Sequence, residues 1–126
     1  MSQIIMINKL EPYTGTYEDI TNSGNLNLIK SFDLKTKIVN YQLSIKGAGF
    51  VDEFFYKYVS DFVMPFTFDE FDIINGEFQN NEIINSYKFS NVFAGYFSMI
   101  QQRYFTYKSL LLESYSYREA LKENIN

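Results

Sequence analysis

Cysteine and histidine are both absent from this chain of 126 residues. Without cysteine there is no disulfide bond, no thiolate zinc site and no cysteine nucleophile, and a reducing compartment suits the chain. Without histidine the chain lacks the commonest transition-metal ligand and the usual general base. These absences count against most metal-dependent and acid–base enzymes.

Long hydrophobic runs are missing as well. No stretch approaches the roughly eighteen apolar residues of a membrane-spanning helix, and the first residues, MSQIIMINKLEP, lack the basic start of a signal peptide. We therefore expect a cytoplasmic protein with no membrane association. The chain is 46% hydrophobic, which is enough for one core, so a single globular domain spanning 1–126 is the simplest organisation.

Negative charge is concentrated in one part of the chain. The acidic segment, residues 52–82, contains eight acids and one base for a net charge of −7, whereas the remaining ten bases and seven acids give +3. Aromatic residues are dense nearby, with nine among the twenty-two residues of 50–71. The bases are scattered, which argues against direct nucleic-acid binding because phosphate contacts need clustered Lys and Arg.

The apolar pattern predicts strands in the first third of the chain. Residues 3–7 are strand-like, and the polar, glycine-punctuated residues 13–25 indicate a loop. Residues 26–32 and 36–46 are predicted to be two further strands, because 36–46 alternates between polar and apolar residues. The link between them, 33–35, is short enough for a hairpin.

Helical spacing begins after Gly47-Ala48-Gly49. Apolar residues recur every three or four positions over 50–63, and Met64-Pro65 is expected to end that helix. The segment 66–89 allows either a second short helix or a hairpin joined near Asn80-Asn81, and the hairpin is the preferred interpretation.

A final helical stretch is predicted over 92–122, with Ser90-Asn91 as its cap and a break near Ser114, where Ser116 to Glu119 forms a new capping-box pattern. The expected fold class is therefore α+β. A small antiparallel sheet, built from the N-terminal strands and the central hairpin, would pack against a central helix and a long C-terminal helical segment.

Apolar residues in the last predicted helix repeat at a spacing of 4-3-4-3-4. This C-terminal stripe consists of Phe93, Phe97, Ile100, Tyr104, Tyr107 and Leu111. A stripe of this kind is most often the core face of a helix, and a homodimer seam is the alternative because 3.5-residue spacing is that of a coiled coil.

Motifs for cofactors, metals and catalysis are weak. Gly47-Ala48-Gly49 has the setting of a dinucleotide-binding turn, but Asp52 occupies the third glycine position and would repel phosphate. Residues 71–82 match a calcium-loop frame only in part, since Phe71 and Ile73 offer no oxygen ligand. Divalent-ion binding by Asp69, Glu70 and Asp72 is a weaker alternative, and no nucleophile or phosphate-binding motif occurs. We expect no cofactor, no metal site and no enzymatic activity.

The combination of acids and aromatic residues favours protein binding, because charge steers an encounter and aromatic area stabilises it. We expect a basic protein partner. The predicted contacts are four acids and three aromatic anchors: Asp69, Glu70, Asp72, Glu77, Tyr56, Tyr58 and Phe71.

The leading hypothesis is a small acidic inhibitor, such as an immunity or antitoxin protein that neutralises a basic, nuclease-type toxin. One alternative is a phage-encoded inhibitor that mimics nucleic acid and blocks a host defence complex. Another is a homo-oligomeric structural or scaffold protein that uses the C-terminal stripe. A plain solubilising role for the acidic segment explains the charge but not the aromatic residues.

Overall fold

The computed structural model describes residues 14–125, with side chains through Asn124. Four α-helices occur in this part of the chain: α1 Gly15–Asn22, α2 Phe32–Tyr58, α3 Met64–Glu70 and α4 Tyr87–Ile125. Shorter helical turns lie at Asn25–Leu28, Val59–Val63 and Asn81–Asn85, and the two strands are β1 Phe71–Asp72 and β2 Glu77–Phe78.

The α+β prediction is wrong, because about 85% of the described residues are helical and the sheet has only two short strands. The predicted strand at 3–7 lies outside the described residues. The predicted loop at 13–25 contains α1, and the predicted strands at 26–32 and 36–46 are replaced by a 3₁₀ turn and the first half of α2.

Helix α2 forms where a hairpin was expected because its buried residues recur at helical spacing. They line one side of the helix and are Leu34, Ile38, Ala48, Asp52 and Phe55. Packing along this side outweighs the alternation of 36–46, which is a local pattern only. Gly47-Ala48-Gly49 lies inside α2, so neither a strand end nor a phosphate-binding turn exists there. A Cβ at Gly47 or Gly49 would meet nothing within 4 Å.

The helix predicted at 50–63 is confirmed, but Met64-Pro65 does not end the helical path. A π-helical turn at Val59–Val63 leads directly into α3, and Pro65 lies in the first turn of α3. Proline is tolerated there because the first turn of a helix does not use its backbone N–H groups. The chain then leaves the helix at Phe71 with extended backbone.

The hairpin predicted in 66–89 with its turn near Asn80-Asn81 is wrong, because the residues on the two sides of that position do not form paired strands; the hairpin that forms lies earlier in the chain. Strands β1 and β2 pair antiparallel, with Phe71 opposite Phe78, and the turn lies at 73–76 instead of Asn80-Asn81. Gly76 has φ +77°, a left-handed conformation that glycine adopts without strain. Residues Asn81–Asn85 form a 3₁₀ turn, and the Asn80 side chain accepts a hydrogen bond from the Glu82 backbone N–H at 2.9 Å.

The helical prediction for 92–122 is confirmed, although α4 begins earlier than expected. The Ser86 hydroxyl oxygen accepts a hydrogen bond from the Phe89 N–H at 3.1 Å and so caps the helix in place of Ser90-Asn91. The helix continues through Ser114, whose hydroxyl donates to the Leu111 carbonyl at 2.7 Å. The predicted break and second capping box are therefore wrong.

The described residues form two compact units, 50–105 and 14–49 with 106–125. Each unit has its own core. The core of the first unit contains Phe55, Val59, Val63, Phe66 and Val92. The core of the second contains Leu34, Ile38 and Ala120. One domain over 1–126 stays a prediction.

Candidate protein-binding site

The turn between β1 and β2 is held by the side chain of one residue. Asp72 Oδ1 accepts hydrogen bonds from the backbone N–H groups of Ile74 at 2.9 Å and Asn75 at 3.0 Å. Asp72 Oδ2 accepts a third from the Asn75 side-chain amide at 2.8 Å, and the Asp72 carbonyl accepts from the Gly76 N–H at 2.8 Å. An aspartate that bonds the backbone two and three residues ahead fixes the turn in one conformation.

Ionisation of Asp72 matches this role. The hydrogen bond from the Asn75 backbone, followed by that from the Asn75 side chain, lowers the pKa of Asp72 below its ordinary value of 3.8. Hydrogen bonds to a carboxylate stabilise its charged form. The turn is therefore fully bonded at neutral pH.

The rigid turn presents an apolar side chain to solvent. Ile74 is 94% exposed, and Ile73 beside it is also exposed. Fully burying an isoleucine side chain stabilises a protein by about 1.5–3 kcal/mol, and the fold gains almost none of this from Ile74. An apolar side chain held out on a preorganised turn is suited to insertion into a pocket of another molecule, because little ordering entropy is lost on binding.

Further exposed apolar residues lie in the same part of the chain. The 68–87 segment, which comprises the end of α3, the hairpin, the 3₁₀ turn and the start of α4, exposes Phe68, Ile84 and Tyr87 in addition to the isoleucine pair. Buried Phe71 and half-buried Phe78 pack edge to face beneath the hairpin, with ring centroids 5.2 Å apart. The hairpin thus has an aromatic base and an aliphatic tip.

Many acids of the acidic segment have partners within the chain. Asp61 pairs with Lys57 at 2.6 Å and Glu70 with Lys88 at 2.8 Å. The Asp52 carboxylate is buried, 2.9 Å from Arg103 Nε. Part of the negative charge of the acidic segment is therefore neutralised by Lys and Arg residues of the same chain.

Three acids of the 68–87 segment remain exposed. Within residues 14–125, Asp69, Glu77 and Glu82 form no ion pair, and all three are exposed. Glu77 lies opposite Asp72 in the strand register, directly beside the turn that carries Ile74. Exposed carboxylates in the same segment as an apolar tip can attract a basic partner over about 10 Å at 0.1 M salt.

The seven predicted contact residues separate into two groups. Asp69, Glu70, Asp72 and Glu77 all lie in the 68–87 segment, although Glu70 is engaged by Lys88 and Asp72 by its own turn. Of the three aromatic residues, Phe71 is buried, and Tyr56 and Tyr58 are half-buried against the core of the unit 50–105.

The placement of those aromatic residues follows from their contacts. Phe71 is buried. The Tyr58 hydroxyl donates to the backbone carbonyls of Asn91 at 3.2 Å and Val92 at 3.0 Å. Burial, followed by the nearby Asp52 charge, raises the pKa of Tyr56, whose hydroxyl is buried and has no hydrogen-bond partner in the described part of the chain. The exposed apolar residues Ile73, Ile74 and Tyr87 were not singled out by the sequence analysis.

The buried ion pair Asp52–Arg103 is structural. The Arg103 guanidinium lies 4.4 Å from the centroid of the Phe55 ring and 6.0 Å from that of Tyr56. Cation–π contacts of this kind stabilise a desolvated guanidinium. The pair belongs to the core between α2 and α4 in the unit 50–105.

An open pocket of about 470 Å³ lies in the other unit. Its lining comes from α2 and α4 and consists of Lys37, Asn40, Tyr41, Leu43, Ser44, Glu113, Ser116 and Tyr117. Lys37 pairs with Asp33 at 3.0 Å, and the Tyr41 and Tyr117 rings stack 5.4 Å apart. Its principal cation and its aromatic rings are thus already engaged within the chain.

The residues described in the structure contain no group of three acids that could hold a metal ion. Glu70 and Asp72, which the divalent-ion alternative required, bond elsewhere. No helix between residues 14 and 125 has both the length and the apolar run needed to cross a membrane. Comparison with protein-family models, curated proteins and solved structures finds no match to this chain.

Proposed function

We propose that this chain is a small inhibitor that binds a basic protein through the 68–87 segment. The observation that carries the proposal is the position of Ile74, 94% exposed on a turn fixed by Asp72. Exposed Glu77 lies beside that turn, and Asp69 and Glu82 lie in the same segment. The proposal assigns the chain no catalytic role and a cytoplasmic location.

The chemistry of the surface defines the partner. An apolar pocket would receive Ile74, and Lys or Arg around that pocket would pair with the exposed acids, which raise the association rate through long-range attraction. A nuclease fits this description, because its active site must attract a polyanionic substrate and is therefore basic. We thus place an immunity or antitoxin role against a nuclease-type toxin first.

The nucleic-acid mimic receives less support. A mimic of the phosphate backbone needs a row of free carboxylates, whereas Asp52, Asp61 and Glu70 are paired within the chain. The exposed apolar turn also has no counterpart in a phosphate backbone.

The proposal is tested by affinity purification of the tagged chain from its native cells, followed by binding measurements with the purified partner. Ile74→Asp and the triple reversal Asp69→Lys, Glu77→Lys, Glu82→Lys should each weaken binding at least tenfold, or about 1.4 kcal/mol. We expect Ile74→Asp to act on the dissociation rate and the reversal on the association rate.

A matched control reverses three exposed acids outside the segment: Asp19→Lys, Glu53→Lys and Glu123→Lys. This variant has the same net charge as the triple reversal but an intact 68–87 segment, so its affinity should be close to that of the parent. Equal weakening by both triple variants would show that only net charge matters. A partner indifferent to Ile74→Asp and to the 68–87 reversal would refute the proposal.

A further inference from the structure

Part of the C-terminal stripe lies at the surface of the unit 50–105. Phe97 is 64% exposed, Ile100 37% and Tyr104 59%. Spacings of three and four residues place them on one side of α4. We propose that this side of α4 binds the same side of a second copy of the chain, with the two α4 helices antiparallel about a two-fold axis near Ile100.

The spacing of the three residues makes the surface self-complementary. Phe97 lies three positions before Ile100, and Tyr104 lies four positions after it. When an antiparallel copy is centred between Ile100 and Gln101, Phe97 therefore faces Tyr104 of the second copy and the two Ile100 side chains meet at the axis. A two-fold interface requires a patch that matches itself in this way.

Charge also favours a second copy. Residues 89–107 contain a single charged residue, Arg103, and its guanidinium is bonded to Asp52 inside the unit. Two copies therefore meet without like charges between them, although each has a net charge of −4. A strongly charged partner would find no complementary charge here, and a membrane-binding helix would have Lys and Arg along its polar face.

The area available sets the strength of the contact. An aromatic side chain has roughly 150–250 Å² of surface, so Phe97 and Tyr104 each leave on the order of 100 Å² exposed. Two copies together would bury on the order of 500 Å² from the three residues, with more from flanking positions, against about 1,200–2,000 Å² for stable interfaces. This area is well below that of a stable interface, so we expect a weak, reversible dimer that is populated only at high protein concentration.

Sedimentation velocity on the full chain, from about 1 µM to about 500 µM, tests this. The apparent mass should rise with concentration from 14.9 kDa toward twice that value. Ile100→Glu, which places two like charges at the axis, should weaken self-association at least tenfold, and Ile100→Lys should do the same. An equimolar mixture of the two variants should restore association, because a glutamate then faces a lysine.

The control is Phe32→Glu, an equally drastic change at an exposed aromatic residue that begins α2 in the other unit. It should leave self-association unchanged. Circular dichroism checks folding, and Phe97→Glu replaces Ile100→Glu if that variant does not fold. A monomer at all concentrations, or a dimer insensitive to the stripe variants, overturns the proposal. The proposal is also overturned if the monomer binds phosphatidylcholine vesicles and Ile100→Glu abolishes that binding.

Discussion

The ring of Tyr58 occupies the space that a side chain at Gly95 would need. The Tyr58 hydroxyl bonds to the α4 backbone at Asn91 and Val92, and a Cβ built on Gly95 would collide with the hydroxyl and ring of Tyr58. Glycine at position 95 thus accommodates the close approach of a side chain from α2, and any larger residue there would displace Tyr58. This and other features have measurable consequences.

Gly95→Ala should lower the free energy of unfolding by about 1–3 kcal/mol, the usual cost of overpacking, even though alanine favours an unstrained helix by about 1 kcal/mol. Urea denaturation measures the change. Gly47→Ala is the matched control, because its Cβ meets nothing within 4 Å, and it should stabilise by about 0.5–1 kcal/mol. If both alanine variants are stabilising, Tyr58 does not constrain α4 as described.

Removing one partner of the Asp52–Arg103 pair should destabilise the fold by about 3–5 kcal/mol, since the other charge is left buried. Asp52→Leu and Arg103→Met are the single variants, and chemical denaturation is the measurement. The double variant should be more stable than either single variant because it contains no buried charge. Additive losses in the double variant would mean that the two residues act independently.

Asp72 should make stability depend on pH below its ordinary pKa of 3.8. Its folded-state pKa is lowered, so its contribution is fully present above that ordinary value and is lost as pH falls through the lower folded-state pKa. Asp72→Asn removes this titration. The parent should therefore lose stability faster than Asp72→Asn as pH falls below 3.8, which thermal unfolding across that range will show. If the stability of the two proteins falls in parallel with pH, Asp72 does not contribute to the pH dependence.

Ser86 should be the cap of α4, not Ser90. Ser86→Ala should cost about 1 kcal/mol, because the Phe89 N–H loses its acceptor. Ser90→Ala lies inside the first turns of the helix, and it should change the free energy of unfolding by no more than about 0.5 kcal/mol. Thermal or urea unfolding distinguishes them, and the reverse order would place the helix start at Ser90-Asn91.

The helices over 50–63 and 92–122 were predictable from apolar spacing, but the first half of α2, which was predicted to be strands, was not. Leu34, Ile38, Ala48 and Phe55 share a helical face, yet the sequence interrupts that face with Gly47 and Gly49 and places a charged residue, Asp52, within it. Local alternation and glycine punctuation therefore dominated the interpretation. Only the partner helix, which supplies Arg103, shows that an acid belongs there.

In α4 the period was predicted correctly and the buried side was not. Apolar residues occupy two neighbouring stripes, and the buried one includes Val92 and Leu110, whereas Phe97 and Leu111 are exposed. A helix with aromatic residues on both sides gives no local signal of which side faces its partner. The same limit applies to the candidate site: Asn75-Gly76 indicates a turn, but nothing in the sequence distinguishes an exposed Ile74 from a core residue.

The Asp52–Arg103 pair also bears on the register of α2 against α4 within the unit 50–105. Two helices with repeating apolar positions can slide by seven residues and still bury a similar area. Such a slide would leave both charges unpaired in an apolar environment. It would also move the Tyr58 side chain away from Gly95. The ion pair therefore favours one register of α2 against α4 in this unit. Its apolar replacement, Asp52→Leu with Arg103→Met, is expected to populate slid forms only as a minor fraction, because the Tyr58–Gly95 contact remains; they would be seen as weak extra sets of amide resonances.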